Sequence, residues 1–466
     1  MQKLLEEIVA VLPEVQVVGD CDKIIKDITA DSREVREGSL FICLKGAHVD
    51  GHKYLEQAAA SGAGAALVED VPEVCPDGLT LLKVADTRLG MEVIAPFFYD
   101  YPGKTMRMIG VTGTNGKTTT TNIVRAILRK VGFKVGLIGT INIMIEDEAI
   151  VAHNTTPDVV DLQRALYRMK EAGCEYVVME VSSHALALNR VAGCEYDTAA
   201  LTNITQDHLD FHKTLENYRD AKGLLFEHLH EGKKENKTAV FNMDDASSPI
   251  LCDRTKTRIL TYGEGRNNDI YPLFFKVEAK QMRLQLHTPV GEMDLLLKIT
   301  GEFNVYNVMA AVAIALAEQI DKKTIVMLGC GALGSKISMH LARMGYTKQH
   351  LYDNDLFLPH NLARHSIVSN SLVGYPKAFI IAEQIKSLVS SNECRGYYED
   401  IFNIKKLSDG IVVDCTASKR SLYWSVSSGV INFPMVRTEI YFGGKVGLTL
   451  IEGKKRNPDV HDIMIS

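Results

Sequence analysis

Two glycine-rich turns, each set between an apolar strand and a helix, divide this chain of 466 residues. The first is Gly113-Thr114-Asn115-Gly116-Lys117-Thr118-Thr119, after a β-run at Arg107 to Val111 and before a helix expected over Lys117 to Val131. The second is Gly329-Cys330-Gly331-Ala332-Leu333-Gly334, after an apolar strand at Thr324 to Leu328 and before a helix expected over Ser335 to Met344. A strand that feeds a glycine turn and opens a helix aims several backbone N–H groups, and the positive end of the helix dipole, at one spot. That spot suits phosphate oxygens. Such units occur in parallel α/β sheets, so two of them commit most of the chain to the α/β class. The first turn is not the long Walker form, because Val111 stands where its leading glycine would be. The shorter form assigns Lys117 to the β- and γ-phosphates and the Thr118 hydroxyl to Mg²⁺.

A chain of this length exceeds one core and implies about three domains. Their expected limits are 1–101, 102–320 and 321–466. In the first, Met1 to Pro13 reads as an amphipathic helix (Leu4, Leu5, Ile8, Leu12), Lys53 to Gly62 as a helix, and Phe41 to Leu44 and Ala65 to Val68 as strands. Pro102 opens the second. There strands are expected at Val135 to Ile138, Tyr176 to Glu180, Thr198 to Thr202 and Val240 to Asn242, with helices at Asp161 to Ala172, Asn217 to Leu229 and Val305 to Glu318. Phe274 to Thr300 alternates as a hairpin would. At Asp321 the pattern restarts.

No apolar run approaches the ~20 residues of a membrane helix. The nine cysteines are scattered without a Cys-x-x-Cys pair, which points to a reducing cytoplasm and away from structural zinc. Residues 1–101 carry 9 Lys+Arg against 18 Asp+Glu, and residues 321–466 carry 18 against 13. This acidic-to-basic gradient fits modules of different origin. It gives no nucleic-acid footprint, so neither nucleic acid nor membrane is an expected partner.

Around the first turn stand further motifs in order. They are Asp31-Ser32-Arg33, Gly38-Ser39-Leu40-Phe41 and Asp50-Gly51-His52 in the first module. Then come Asn154-Thr155-Thr156-Pro157, Glu180-Val181-Ser182-Ser183-His184, Arg190, Asp207-His208-Leu209-Asp210-Phe211-His212, Tyr218 through Lys222, and Gly301-Glu302-Phe303-Asn304-Val305-Tyr306-Asn307. Taken singly, His208 reads as a structural loop residue, Lys222 as a solvated helix face and Ser182 as a helix cap. Taken together and in this order, they resemble the Mur ligases, in particular the MurE branch, over Gln2 to Gln319. The resemblance implies a UDP-precursor domain, a central P-loop domain with a parallel sheet, and ATP and Mg²⁺ as cofactors. It implies that Gly113, Thr114, Asn115, Gly116, Lys117, Thr118, Thr119, Asn304 and Asn307 meet ATP. Ser32, Asn154, Thr155, Thr156, Ser182 and Arg190 would hold UDP-N-acetylmuramoyl-L-alanyl-D-glutamate, which is joined to an amino acid through an acyl-phosphate. Thr118, Glu180, His208 and a carbamylated Lys222 would surround Mg²⁺, with Lys117, Lys222, Glu180 and His208 as the catalytic set. Carbamylation requires Lys222 to lose its proton, which from a reference pKa near 10.4 costs about 4 kcal/mol near neutral pH.

The amino-acid domain of that family carries an Asp-Asn-Pro-Arg or related motif, and none follows Ile320. Instead Gly329, Gly331 and Gly334 are followed by Asp353-Asn354-Asp355, Asn361-Leu362-Ala363-Arg364-His365, Gly374-Tyr375-Pro376-Lys377-Ala378 and Asp414-Cys415-Thr416. The glycines alone fit an NAD site as well as any other. The whole set resembles the ThiF/MoeB adenylating enzymes, with a Rossmann-like fold. That resemblance implies a second nucleotide site at Gly329, Gly331, Gly334, Asp353, Asp355, Asn361, Arg364 and Lys377. Its partner would be a ubiquitin-like or sulfur-carrier protein. The family's last acid in Asp-Cys-Thr-Asp is replaced here by Ala417. Three readings stay open: a MurE-like amide ligase, a ThiF-like adenylyltransferase, and a non-catalytic fusion or assembly chimera that binds nucleotide without turnover.

Overall fold

Strand Arg107–Thr112 is the axis of the middle domain, with parallel neighbours on both edges, Tyr176–Glu180 and Thr198–Leu201. Met108 to Thr112 are all buried. The computed structural model describes residues 1–451 apart from 47–49, 153, 319–323, 344–345, 364, 367–368, 390–393, 406, 408–409, 417, 432–434 and 442–445. The chain separates into two units, Met1–Ile320 and Asp321–Ser466.

The middle domain's sheet has eight strands in the order Glu148–Val151, Asn142–Ile145, Val135–Ile138, Tyr176–Glu180, Arg107–Thr112, Thr198–Leu201, Thr238–Asn242, Arg258–Tyr262. The first two form an antiparallel edge hairpin and the other six run parallel. Helices cover both faces, which is why these strands read as continuous apolar runs. Lys117–Val131 and Phe303–Ala317 cover one face through Val124, Leu128 and the alanine-rich stretch Val308 to Ala313. Val159–Glu171 and Leu215–Glu231 cover the other through Leu162, Leu166, Leu225 and Phe226.

The first domain is a five-stranded sheet, Gln16–Val18, Thr80–Lys83, Ala65–Val68, Ser39–Ile42, Asp27–Thr29. Only its first strand is antiparallel. Its core draws in Val159 and Val160 from the middle domain, so the two domains share apolar surface. Arg164, one turn further along that helix, donates to the Tyr99 hydroxyl at 3.1 Å and to the Ile28 carbonyl at 2.8 Å.

Expected elements are found with shifted ends. The N-terminal helix is only Leu5–Val11, because Lys3–Leu4 pairs with Ile24–Ile25 and leaves Leu4 exposed, off the apolar face. The segment expected as a helix from Lys53 starts as a 3₁₀ turn, Gly51–Tyr54, before Leu55–Ala60. The expected hairpin at 274–300 is a three-stranded antiparallel sheet, Tyr271–Val277, Met282–Thr288 and Gly291–Leu297, with a bulge between Pro272 and Phe274.

The second unit has a six-stranded sheet, Arg395–Tyr397, Gln349–Tyr352, Thr324–Leu328, Gly410–Asp414, Met435–Tyr441, Val446–Ile451, parallel except for the last strand. Helices Ala332–Arg343 and Lys377–Val389 pack on it. Arg364 and Ala417 lie outside the described residues.

At the end of the axis strand opposite the glycine turn lies a buried polar cluster. Arg107 pairs with Glu318, whose side chain has no solvent exposure and accepts from Thr198 Oγ1 at 2.6 Å. Asp197 accepts from Met108 N at 2.7 Å and from Lys234 Nζ at 2.8 Å. Glu318 caps the last middle-domain helix, so this cluster pins that helix to the axis strand. Arg107→Met strands a buried carboxylate and should destabilise the first unit by about 3 kcal/mol. Adding Glu318→Met should recover most of the loss. Urea titration followed by circular dichroism measures both. Trp424, the single tryptophan, reports the second unit separately by fluorescence.

Candidate active site

The parallel strands of the middle domain all end on the same side, where an open α/β sheet binds its ligands. Thr112 leads into the glycine turn, and Glu180 is the last residue of its strand. Thr202 and Asn203 follow Thr198–Leu201, and Asn242 ends Thr238–Asn242. Thr114 N donates to Asn203 O at 2.7 Å, and Asn115 N to Asn203 Oδ1 at 2.9 Å. Thr202 Oγ1 donates to Asn115 O at 2.6 Å. The turn is thus laced to the neighbouring strand end. Gly113 has φ +146°, and a Cβ there would sit 1.9 Å from Thr202 Oγ1. Gly116 has φ +88°, and a Cβ there would sit 2.2 Å from Asn307 Oδ1. Both positions require glycine on conformation and on space.

Two lysines share one acceptor. Lys117 Nζ donates to Gly113 O at 2.8 Å and to Thr114 O at 2.9 Å. Lys222 Nζ donates to the same Gly113 O at 2.9 Å and lies 4.4 Å from the centre of the Tyr218 ring. Lys222 is 1% exposed. Burial holds both amines below the usual lysine range, Lys222 far below it, and the charge of Lys117 adds to the effect on Lys222.

Opposite them Glu180 is buried but hydrogen-bonded. Its Oε2 accepts from Thr118 Oγ1 and Thr140 Oγ1, each at 3.0 Å, and its Oε1 from Thr140 N at 3.0 Å. Thr140 Oγ1 also lies 3.1 Å from Thr155 Oγ1. Thr156 Oγ1 donates to Glu180 O at 2.9 Å and accepts from Ser182 N at 3.1 Å. Ser182 caps helix Ser183–Ala187, accepting from Ala185 N at 3.2 Å. Arg190 Nε lies 2.9 Å from Asp158 Oδ1, a charge pair without hydrogen-bond alignment.

His208 has φ +52° and opens the short helix Leu209–His212. Its ring is 4.9 Å from that of His184. His212 is buried, with Nε2 3.0 Å from Ser183 Oγ. Burial lowers the pKa of both His184 and His212, and after burial the charge of His208 opposes protonation of His184 and that of His184 opposes protonation of His212. Of the expected residues, the described hydrogen bonds join Thr118, Glu180, Thr155, Thr156 and Ser182 into one network. Asn154 is exposed, and Ser32 sits in the turn after Asp27–Thr29, outside that network among the described contacts. No three His, Cys, Asp or Glu side chains converge as a metal cage among the described residues. Thr118 and Glu180 nevertheless offer the few oxygen donors that suit Mg²⁺, which keeps most of its shell as water and phosphate.

Beside the turn opens a cleft of about 650 Å³ lined by Asn115, Gly116, Asn242, Asp244, Phe303 and Asn307 among others. Asn307 reaches it. Asn304 is absent from its lining and accepts from Asn307 Nδ2 at 2.8 Å, so it orients its neighbour.

Residues 24–95 match the family described as Mur ligase family, catalytic domain, and residues 111–315 match the Mur ligase middle domain. The first unit is built of Mur ligase domains. Residues 306–423 match the ThiF family. The chain is 44% identical over 324 residues to a UDP-N-acetylmuramoyl-L-alanyl-D-glutamate–2,6-diaminopimelate ligase of Bacillus cereus, covering 69% of this chain and 65% of that protein. It is 46% identical over 310 residues to the enzyme of the same name from Bacillus licheniformis, covering 66% and 63%. The chain therefore spans a little under two thirds of the length of these relatives. Among solved structures, a UDP-N-acetylmuramoyl-L-alanyl-D-glutamate–2,6-diaminopimelate ligase has the same fold, with TM-score 0.56 and 21% identity over 89% of this chain and 93% of that one. MurF from Acinetobacter baumannii also shares it, at TM-score 0.52 and 22% identity over 71% and 81%.

The ThiF-like unit builds its own glycine turn. Gly329 has φ +87°, and a Cβ on Gly334 would sit 1.9 Å from Gly329 O. Gly331 is open. Asp353 accepts from Cys330 N at 2.5 Å and Asp355 N at 2.7 Å, so its carboxylate ties the turn to the next strand end. Lys377 pairs with Asp355 at 2.7 Å, and Asn361 Oδ1 accepts from Leu358 N at 2.8 Å. Asp414 is fully buried and pairs with Arg437, which is 1% exposed. None of the nine cysteines is in a disulfide, and no described helix is long and apolar enough to cross a membrane.

Thr140, Asn203, Asp244 and Asn242 take part in the Mur-type site without a sequence signal of their own. What marks them is position, each lying at or just beyond a strand end of the sheet. Gly113→Ala should weaken ATP binding by about a hundredfold, since the turn must be displaced at a cost of roughly 2–3 kcal/mol. Titration with a fluorescent ATP analogue reads this, and near-native affinity would contradict the close packing against Thr202.

Proposed function

We propose that the first unit is a MurE-type ATP-dependent ligase site. It activates a carboxylate of UDP-N-acetylmuramoyl-L-alanyl-D-glutamate as an acyl-phosphate for attack by an amino acid. The observation that carries this is the convergence of Lys117 and Lys222 on Gly113 O, across from a Glu180 carboxylate held by Thr118 and Thr140. A carboxylate approaching a γ-phosphate brings two anions together, and Lys117 with the amides of the glycine turn offsets their repulsion. Bound Mg²⁺ would add Lewis-acid charge at the phosphates, held by Thr118, Glu180, His208 and a carbamylated Lys222. The first domain with Ser32, and the strand-end residues Asn154, Thr155, Thr156, Ser182 and Arg190, hold the precursor. ATP lies along the turn with its base in the cleft beside Asn307. The 44% and 46% identical relatives bearing the ligase name support this reading.

For Lys222 the sign of the shift favours carbamylation. A lysine whose folded pKa is depressed is neutral at lower pH than a free one, and only the neutral amine adds CO₂. With ¹³C-bicarbonate at pH 8, a carbamate resonance should be present and be lost in Lys222→Met. A signal that persists in Lys222→Met would place the carbamate elsewhere.

The ThiF-like unit supports a second activity by its own turn and the Lys377–Asp355 pair, an adenylation that would release pyrophosphate where the ligase releases ADP and phosphate. Lys117→Ala should reduce precursor-dependent ADP release by at least about 10²-fold, while Lys377→Ala leaves it intact. Equal loss from both changes would refute two independent sites. ATP binding with neither product formed would leave the non-catalytic fusion as the answer.

A further inference from the structure

Arg190 itself meets Asp158 and Ala185 of the middle domain, but the residue before it is held by the first domain. Arg190 follows helix Ser183–Ala187, which ends with Asn189 in the left-handed conformation at φ +47°. Arg190 N donates back to Ala185 O at 2.8 Å, so the backbone direction at Arg190 is set by the conformation of Asn189. Asparagine tolerates that region better than most residues, yet less well than glycine.

What fixes Asn189 is an acid from another domain. Asn189 Nδ2 donates to Glu92 Oε2 at 2.7 Å. Glu92 lies on helix Thr87–Phe98 of the first domain, which is anchored by Met91, Ile94, Ala95 and Phe98 in that domain's core. Four residues on, Pro96 abuts the same loop, since a Cβ on Gly193 would sit 2.5 Å from Pro96 Cβ. From the middle domain Gln163 Nε2 donates to Ala192 O at 2.8 Å. The loop 189–193 is therefore clasped between the two domains. Partial burial of Glu92 raises its pKa, and the Asn189 amide offsets part of that cost.

We propose that Glu92 is a positioning residue for the precursor site: by gripping Asn189 across the domain boundary it sets the direction of Arg190. This rests on the reading that Arg190 meets the UDP-linked dipeptide. The first domain then does more than hold the nucleotide-sugar; it also aligns a middle-domain cation that meets the same molecule.

Calorimetric titration of the full chain with UDP-N-acetylmuramoyl-L-alanyl-D-glutamate tests it, with an ATP analogue titrated in parallel. Glu92→Leu should weaken precursor binding about tenfold, the equivalent of one charge-assisted hydrogen bond, and leave ATP affinity unchanged. Glu92→Gln keeps an acceptor for Asn189 Nδ2 and should stay within about twofold of the unaltered chain. In an Arg190→Ala background, Glu92→Leu should have no further effect, because the two residues act in series. Unchanged affinity in Glu92→Leu, an equal loss in Glu92→Gln, or an undiminished further loss in the Arg190→Ala background each overturns the positioning role while leaving the ligase reading in place. Failure of the unaltered chain to bind the precursor overturns both.

Discussion

The carbonyl of Gly113 is where the middle domain's fold and its chemistry meet. It follows directly on a strand that is buried on both faces and paired on both edges, so its position is set by the whole sheet. Two amines from different helices converge on it, one from the helix the turn opens and one from Leu215–Glu231. Placing Lys222 there withdraws it from water, and the resulting preference for the neutral amine is a consequence of packing and of the neighbouring Lys117. A surface lysine on the same helix would have neither property. The sheet thus determines the ionisation of a residue more than a hundred positions away in sequence.

The same logic separates the parts of the site that could be read from the residues from those that could not. The Gly113 turn was legible because its motif spacing coincides with a strand end; Glu180 was readable as the end of an apolar strand, and its site role came from the family resemblance. Strands such as Val135–Ile138 and Tyr176–Glu180 stood out because burial on both faces makes them continuously apolar. Lys222 and His208 were legible only through the family resemblance, since one lysine on a helix or one histidine in a loop carries no signal alone. Thr140 was missed. It is an ordinary threonine whose importance comes from a parallel neighbour, Val135–Ile138 beside Tyr176–Glu180, which puts it over Glu180. Leu4 was misplaced because a two-residue ladder to Ile24–Ile25 outcompeted a helical turn that local periodicity favoured. Asn304 was grouped with Asn307 by motif, whereas helical geometry places them three residues apart with one orienting the other.

The two glycine turns share a backbone solution and differ in what surrounds it. At Gly113 the neighbouring groups are the buried amine of Lys222, the partly buried amine of Lys117 and a carboxylate held by hydroxyls, all close to where phosphates would lie. At Gly329 the buried acid Asp353 is committed to backbone N–H groups on both sides, and the cation Lys377 is paired with Asp355. Asp414, within the second motif, is likewise committed to Arg437, Thr416 and Ser421. Asp353, Lys377 and Asp414 in the ThiF-like unit are therefore matched within that unit. At the Mur-type turn the side-chain charges are Lys117 and Glu180, with Lys222 driven toward its neutral form, so under the proposed reading the backbone N–H groups of the turn and Lys117 would receive the phosphates.

The far end of the axis strand bears on why a different module can follow the Mur domains in one chain. The last middle-domain helix is terminated by Glu318, and its charge is satisfied by Arg107 and Thr198 within the same unit. Among the described residues, nothing in that cluster draws on a residue beyond 318. A helix whose end is closed by its own domain does not need a particular successor to complete its hydrogen bonds. The helix end that precedes the second unit is then closed within the first, at the end of the axis strand opposite the glycine turn.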